Sequence, residues 1–223
     1  MFAMSEKRRV GVLWDMDGTL IDSEPLWMAA ETELVASFGG RWRHEDALQL
    51  VGNGLPESAR ILQQAGVRLP PSEIIGWLTE HVTAHLDPVS MPWRPGAREL
   101  LASLREAGVP TALVTMSYRS MALHVAGQLG FTGFDAVIAG DDVAHAKPHP
   151  GPYLRGAAAL GLDPADCVAL EDSATGATSA AAAGARVVVV PFLAPIPDDP
   201  RWTRWDTLAG RGVADLIALE AAA

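Results

Sequence analysis

A single cysteine, Cys167, stands in a chain of 223 residues. An internal disulfide is therefore excluded, one thiol cannot build a zinc cluster, and a reducing cytoplasm is the expected setting. Cys167 lies in an apolar run and reads as a small buried residue, not a nucleophile. Basic residues are also in short supply: 17 Lys and Arg face 27 Asp and Glu, for a formal charge of −10. That balance opposes nucleic acid and anionic membrane surfaces as partners, so an anionic ligand must be held by a local device. No apolar run nears the roughly 20 residues that cross a bilayer. Residues 1–9 lead into a short apolar strand without a signal-peptide pattern. No repeat at a solenoid period is visible. Charged residues make up only 20% against 49% apolar, which excludes extended disorder and allows a real core. The length suits one large core with an inserted or appended subdomain, expected as a monomer.

Against these absences stand short, valine-rich apolar runs at 10–14, 111–115, 136–139, 167–170 and 187–190. Each is too short for a helix and suits a parallel strand buried on both faces. Helical patterns at 97–107, 119–129, 152–160 and 175–183 separate the later runs. Gly108, Gly130, Gly161 and Gly184 close them, as expected of residues that accept the left-handed turn at a helix end. The alternation predicts an α/β fold, a Rossmann-like parallel sheet with helices on both faces. Residues 23–90 break the rhythm and read as helices at 25–38, 44–50, 56–65 and 71–86. Residues 87–96, with three prolines and a glycine, then read as a linker back to the sheet. The expected organisation is a core of residues 1–22 and 91–223 with a helical cap of residues 23–90.

The stretch WDMDGTLIDSE, residues 14–24, crowds acids at the end of the first strand. Ligands of open α/β sheets bind beyond the carboxyl ends of the strands, where Asp15 would stand. Asp17 follows two positions on, so both carboxylates can lie on one side of the chain. Two carboxylates about 4 Å apart repel by roughly 4 kcal/mol at an effective dielectric of 20, which calls for a proton or a cation. Glu171 and Asp172 close another strand that parallel packing can bring to the same rim. Such a set of acids favours magnesium, which takes oxygen ligands and keeps places for water or phosphate oxygens. Beside it, Asp15 can attack phosphorus while Asp17 handles the proton of the leaving group. A lone Asp-x-Asp-Gly is equally compatible with a plain turn. Thr115, followed by Met116 and Ser117, can cradle phosphate or simply cap a helix. Lys147, pinned by Pro148, can supply a point charge or face solvent.

Taken in order, these motifs resemble those of the haloacid dehalogenase superfamily, in its phosphatase and β-phosphoglucomutase-like branch with a helical cap. DMDGTL at 15–20 resembles the first motif, Leu113-Val-Thr115 the second, Lys147-Pro148 the third, and Leu170-Glu-Asp-Ser173 with Gly176 the fourth. The resemblance spans residues 10 to about 190. It implies Asp15 as nucleophile, Asp17 as acid/base, and Thr115 and Lys147 as phosphate holders. It further implies magnesium on the Asp15 carboxylate, the Asp17 backbone carbonyl and the Asp172 carboxylate, with Glu171 supporting from behind. Gly18 and Thr19 would form the turn on which Asp17 swings with the cap.

The activity so implied is hydrolysis of a small phosphorylated metabolite, of the sugar phosphate or phosphoglycolate type, through an aspartyl-phosphate. A phosphomutase and a catalytically inactive phospho-ligand binding module are the alternatives. Against the mutase, Trp27 aligns where the mutases carry a histidine. The cap loop at 50–55, LVGNGL, carries no cation to hold a second phosphate. Arg43 and Arg60 read as solvated. Trp27 stands at the cap entrance, suited to lining the pocket or to packing a hinge. Gly52 and Gly54 read as a turn joining helices. His81 with His85 lack the third ligand that zinc would need, and Pro148 interrupts any helix that would set His145 beside His149.

Overall fold

The computed structural model describes residues 10–219; residues 1–9, expected as a lead-in without a targeting segment, lie outside the described residues. The first strand, β1 (Gly11–Trp14), is followed by four helices: α1 (Glu24–Ser37), α2 (His44–Ala47), α3 (Leu55–Gln64) and α4 (Pro71–His85). Alternation then begins with α5 (Ala97–Glu106), β2 (Thr111–Val114), α6 (Arg119–Gly127), β3 (Ala136–Ile138) and α7 (Gly151–Ala159). It continues with β4 (Cys167–Glu171), α8 (Ala174–Ala182), β5 (Arg186–Val189), β6 (Trp202–Arg204) and α9 (Val213–Ile217).

The strands form one parallel sheet in the order β3-β2-β1-β4-β5-β6. Two-residue alternation sends side chains to opposite faces, and two hydrophobic clusters result. Val12, Trp14, Leu113 and Leu170 meet Leu100, Leu101 and Leu104 of α5 and Met121 and Val125 of α6. Leu13, Val114, Ala169 and Val189 meet Tyr153 and Ala157 of α7 and Ala177 and Ala180 of α8. Strands covered on both sides have no polar face, which is why β1, β2 and β4 read as continuous apolar runs.

The first cluster also runs into α1, α3 and α4 through Trp27, Leu34, Leu62 and Leu78. The chain leaves and re-enters the sheet side by side. Ile21 bridges Trp93, Asp22 N–H donates to Pro92 O at 2.7 Å, and Arg94 N–H donates to Leu20 O at 2.9 Å. The Pro-rich stretch at 87–96 is thus the return path that the sequence suggested.

Observed elements lie within two residues of the expected ones, apart from the expected helix at 44–50, which stops at Ala47 and gives way to turns. Gly108, Gly130, Gly161 and Gly184 all have positive φ at their helix ends. β6 and α9 were not expected. They span three and five residues, too few for a periodic pattern, and β6 is largely exposed. Among the described residues, no helix is long and apolar enough to cross a membrane.

Candidate active site

Register sets the rim. Trp14 pairs with Leu113 on one side and Leu170 on the other, so the next residues, Asp15, Val114 and Glu171, stand level at the carboxyl ends of the central strands. Asp15 N–H donates to Leu170 O at 3.0 Å, fixing the backbone from which its side chain projects.

Lys147 arrives from the segment between β3 and α7 and spends three N–H groups on three oxygens. Its Nζ donates to Asp15 Oδ1 at 2.7 Å, Glu171 Oε1 at 2.6 Å and Val114 O at 3.0 Å. Burial alone would lower the Lys147 pKa, but the charges of Asp15 and Glu171 outweigh it and raise the value. The solvent-facing alternative for this lysine does not hold.

The Glu171 carboxylate is fully committed. Oε1 accepts from Lys147 and from Tyr153 Oη at 2.5 Å, and Oε2 accepts from Ser173 Oγ at 3.2 Å. Ser173 in turn caps α8 by accepting from Gly176 N–H at 3.0 Å. Gly176 has to lack a side chain, since a Cβ there would overlap the Glu171 carboxylate. Burial and the neighbouring Glu171 push the Tyr153 hydroxyl well above its usual range, so it stays a donor.

Asp172 contrasts with its neighbour. It is 5% exposed, and its carboxylate has no hydrogen-bond partner among the described residues. Burial, then repulsion from Asp15 and Glu171, pushes its pKa well up. Asp15 is pushed to about 7 by burial and by Glu171, against the pull of Lys147. One ligand oxygen from each of Asp15, Glu171 and Asp172 falls within 4.8 Å of the others. Three acids against one lysine leave negative charge uncompensated, and an all-oxygen donor set is what a hard divalent cation takes. Both Glu171 oxygens accept from protein donors, whereas Asp15 has one oxygen without a side-chain donor and Asp172 lines the pocket. Gly18, at φ 84°, keeps this space open, because a Cβ there would strike Asp172.

Asp17 is clamped by four donors from two directions. Its Oδ1 accepts from Ser23 Oγ at 2.5 Å and Trp27 Nε1 at 3.1 Å, both at the start of α1. Its Oδ2 accepts from Thr115 Oγ1 at 3.2 Å and Ser117 Oγ at 2.7 Å, both just after β2. Ser117 N–H donates to Thr115 Oγ1 at 3.0 Å. Ser23, Ser117 and Tyr153 were not singled out from the sequence. Serines are common in turns, and Tyr153 occupies an ordinary helix position.

A pocket of about 750 Å³, part of it open to solvent, lies over these groups. Asp15, Asp17, Lys147 and Asp172 form one side, and Glu24, Trp27 and Glu31 of α1 and Leu50 to Asn53 of the α2–α3 turn form the other. Trp27 both lines the pocket and holds Asp17. The Gly52 turn joins helices as expected. Arg60 is exposed and paired with Glu57, and Arg43 is exposed. His81 and His85 stack on each other on α4, beside Trp77.

Glu24 and Glu31 were not singled out from the sequence, yet both are buried. Burial, then the charge of Asp17, raises Glu24 to about 8. Burial raises Glu31 to about 7 against a hydrogen bond from Trp42 Nε1 at 3.1 Å.

Residues 10–184 match the family model for haloacid dehalogenase-like hydrolases. The chain belongs to that family. Hexitol phosphatase B of Escherichia coli K12 is 35% identical over 216 residues, 91% of this chain and 93% of that protein. The crystal structure of CbbY from Rhodobacter sphaeroides in complex with phosphate is 30% identical, covers 92% of this chain and 98% of that one, and superposes with a TM-score of 0.83. A β-phosphoglucomutase structure from Clostridium difficile shares the fold, with a TM-score of 0.72 at 22% identity over 82% of this chain and 85% of that one. The haloacid dehalogenase-like chain described here is thus an enzyme of the phosphatase and phosphoglucomutase-like branch, of the phosphoric monoester hydrolase class.

Proposed function

We propose that this enzyme is a magnesium-dependent phosphatase of small phosphorylated metabolites, of the sugar phosphate or phosphoglycolate type, acting through an aspartyl-phosphate on Asp15. The observation that carries the reading is the pairing of a buried Asp15, held on one oxygen by Lys147, with an Asp17 clamped at the mouth of the same pocket.

In the first step an Asp15 oxygen forms a bond to phosphorus while the ester P–O bond breaks, and Asp17 gives its proton to the leaving alkoxide. In the second, Asp17 takes a proton from water as the water oxygen bonds to phosphorus, releasing phosphate and restoring the Asp15 carboxylate. Lys147, redirecting one of the three N–H groups it now gives to protein oxygens, and the hydroxyl of Thr115 hold the equatorial phosphate oxygens. For Thr115 to do so, the Asp17 carboxylate leaves the Thr115 and Ser117 hydroxyls that it now accepts from, which frees it to face the leaving group. The Asp15 and Asp172 carboxylates and the Asp17 carbonyl would hold magnesium. The bound ion would offset charge on the attacking and transferred oxygens. Glu171 keeps Lys147 in place through Oε1, which accepts from its ammonium, while Ser173 Oγ donates to Oε2.

The helices α1–α4 serve as a cap, residues 23–90, over a core of residues 1–22 and 91–223, in a monomeric cytoplasmic enzyme. Water is the final acceptor, because among the described residues the cap side of the pocket presents no arginine or lysine to retain a bisphosphorylated intermediate. Phosphate release measured with and without magnesium tests the reading, with β-glucose 1-phosphate as the decisive substrate. Conversion to glucose 6-phosphate outpacing phosphate release would replace the phosphatase by a mutase.

A further inference from the structure

We propose that Glu24 and Glu31 are specificity-determining residues that select a substrate whose end remote from phosphorus is uncharged and hydroxylated, and that they reject a second anion. The proposal rests on the phosphatase reading and names the substrate class of that same pocket.

Lys147 is the one cation lining the pocket among the described residues, and its three N–H groups are spent at the Asp15 end. α1, the α2–α3 turn and α3 supply further polar groups of the lining, Glu24, Glu31, Asn53 and Ser58. Glu24 is 7% exposed and has no hydrogen-bond or ion-pair partner among the described residues. Its carboxyl oxygens face the pocket and are not enclosed by protein, so water or a ligand supplies their hydrogen bonds. Glu31 accepts from Trp42 Nε1 through Oε2, while Oε1 has no described partner.

A hydroxyl both donates and accepts, so it matches a carboxyl in either protonation state. The raised pKa values of about 8 and about 7, from burial first, keep Glu24 mostly protonated and Glu31 about half protonated near neutrality, so both can donate. A second phosphate or a carboxylate entering here would lose its water and meet two acids with no arginine or lysine to replace it. An ammonium would need both acids ionised against their burial. Asn53 and Ser58 complete a wall of neutral hydrogen-bonding groups suited to a polyol chain.

The test is kcat/KM of the full enzyme for a hexitol 6-phosphate, 2-phosphoglycolate, fructose 1,6-bisphosphate and phosphoethanolamine, with p-nitrophenyl phosphate as the generic ester. The hexitol monophosphate is expected to exceed each of the other three metabolites by about tenfold or more. Glu24→Lys and Glu31→Lys should each lower the hexitol phosphate to phosphoglycolate ratio by about tenfold. The isosteric Glu24→Gln keeps the preference while raising KM for the hexitol phosphate by roughly threefold. Turnover of p-nitrophenyl phosphate with a hexitol preference at or below one overturns this proposal alone, as does preference for phosphoethanolamine. Absence of turnover on every ester overturns the phosphatase reading and this one with it. If a lysine variant fails to fold, the wild-type panel and Glu24→Gln still decide.

Discussion

Lys147 Nζ stands 2.7 Å from Asp15 Oδ1 with both side chains buried, joining residues 132 positions apart in the chain. The same ammonium neutralises Glu171, so Lys147→Met strands two buried carboxylates. A loss on the order of 3–5 kcal/mol in stability is expected, read by thermal or urea denaturation. Phosphate release should fall by about a hundredfold or more. Lys147→Arg should not restore it, because a planar guanidinium cannot reach three divergent oxygens. A Lys147→Met protein with near wild-type melting and turnover would contradict the site described above.

Asp17→Asn separates metal binding from proton transfer. The backbone carbonyl survives the change, so magnesium affinity measured by calorimetry should stay within a few-fold. Turnover should drop by about 10²–10⁴ with the loss of the acid/base. The amide nitrogen will turn toward Thr115 and Ser117, whose hydroxyls can rotate to accept, because the indole N–H of Trp27 can only donate. Equal turnover in variant and parent would remove Asp17 from the chemistry.

Gly176→Ala is expected to cost roughly 2–4 kcal/mol despite the better helix propensity of alanine. The added methyl would overlap the Glu171 carboxylate, which Lys147, Tyr153 and Ser173 hold in place. An unfolding midpoint at or above that of the wild type would show that Glu171 is not fixed as described.

Stability should also fall as pH rises. Glu24 and Glu31 have folded pKa values of about 8 and about 7, raised by burial above an ordinary 4.5. A raised acid contributes fully below pH 4.5, where both states bind the proton. The contribution is lost progressively up to the folded pKa, because only the native state still binds it there. The difference is on the order of 3–5 kcal/mol per group. The midpoint of unfolding should therefore drop between pH 5 and 8, and the Glu24→Gln, Glu31→Gln double variant should show a flatter profile. Parallel profiles would mean that neither acid is held neutral in the folded protein.

Asp15, Thr115 and Asp172 could be placed at one rim from the sequence because each directly follows a short apolar strand or its last acid, whereas Asp17 and Lys147 stood out only through the resemblance of the ordered motifs to a known family. The sheet was legible for a related reason: β1, β2 and β4 are buried on both faces and read as short apolar runs. What escaped notice lay in elements whose local pattern is shared with bland alternatives. Glu24 sits in the first turn of α1, where an acid ordinarily complements the helix dipole at the surface, and only the packing of α1 over the rim makes it buried. Tyr153 donates to Glu171 from a helix 18 residues earlier, a contact that no local spacing encodes. β6 escaped because three residues at a sheet edge lack any period.

The most direct test of the account is whether phosphorus becomes bonded to Asp15. Asp17→Asn enzyme mixed with magnesium and a substrate phosphomonoester, quenched in acid within a turnover and digested, should yield a peptide phosphorylated at Asp15 by mass spectrometry. Asp15→Asn enzyme should yield none and release no phosphate. Full phosphate release by the wild type without a phosphorylated Asp15 peptide under any quench time, or with the adduct on another residue, would contradict it.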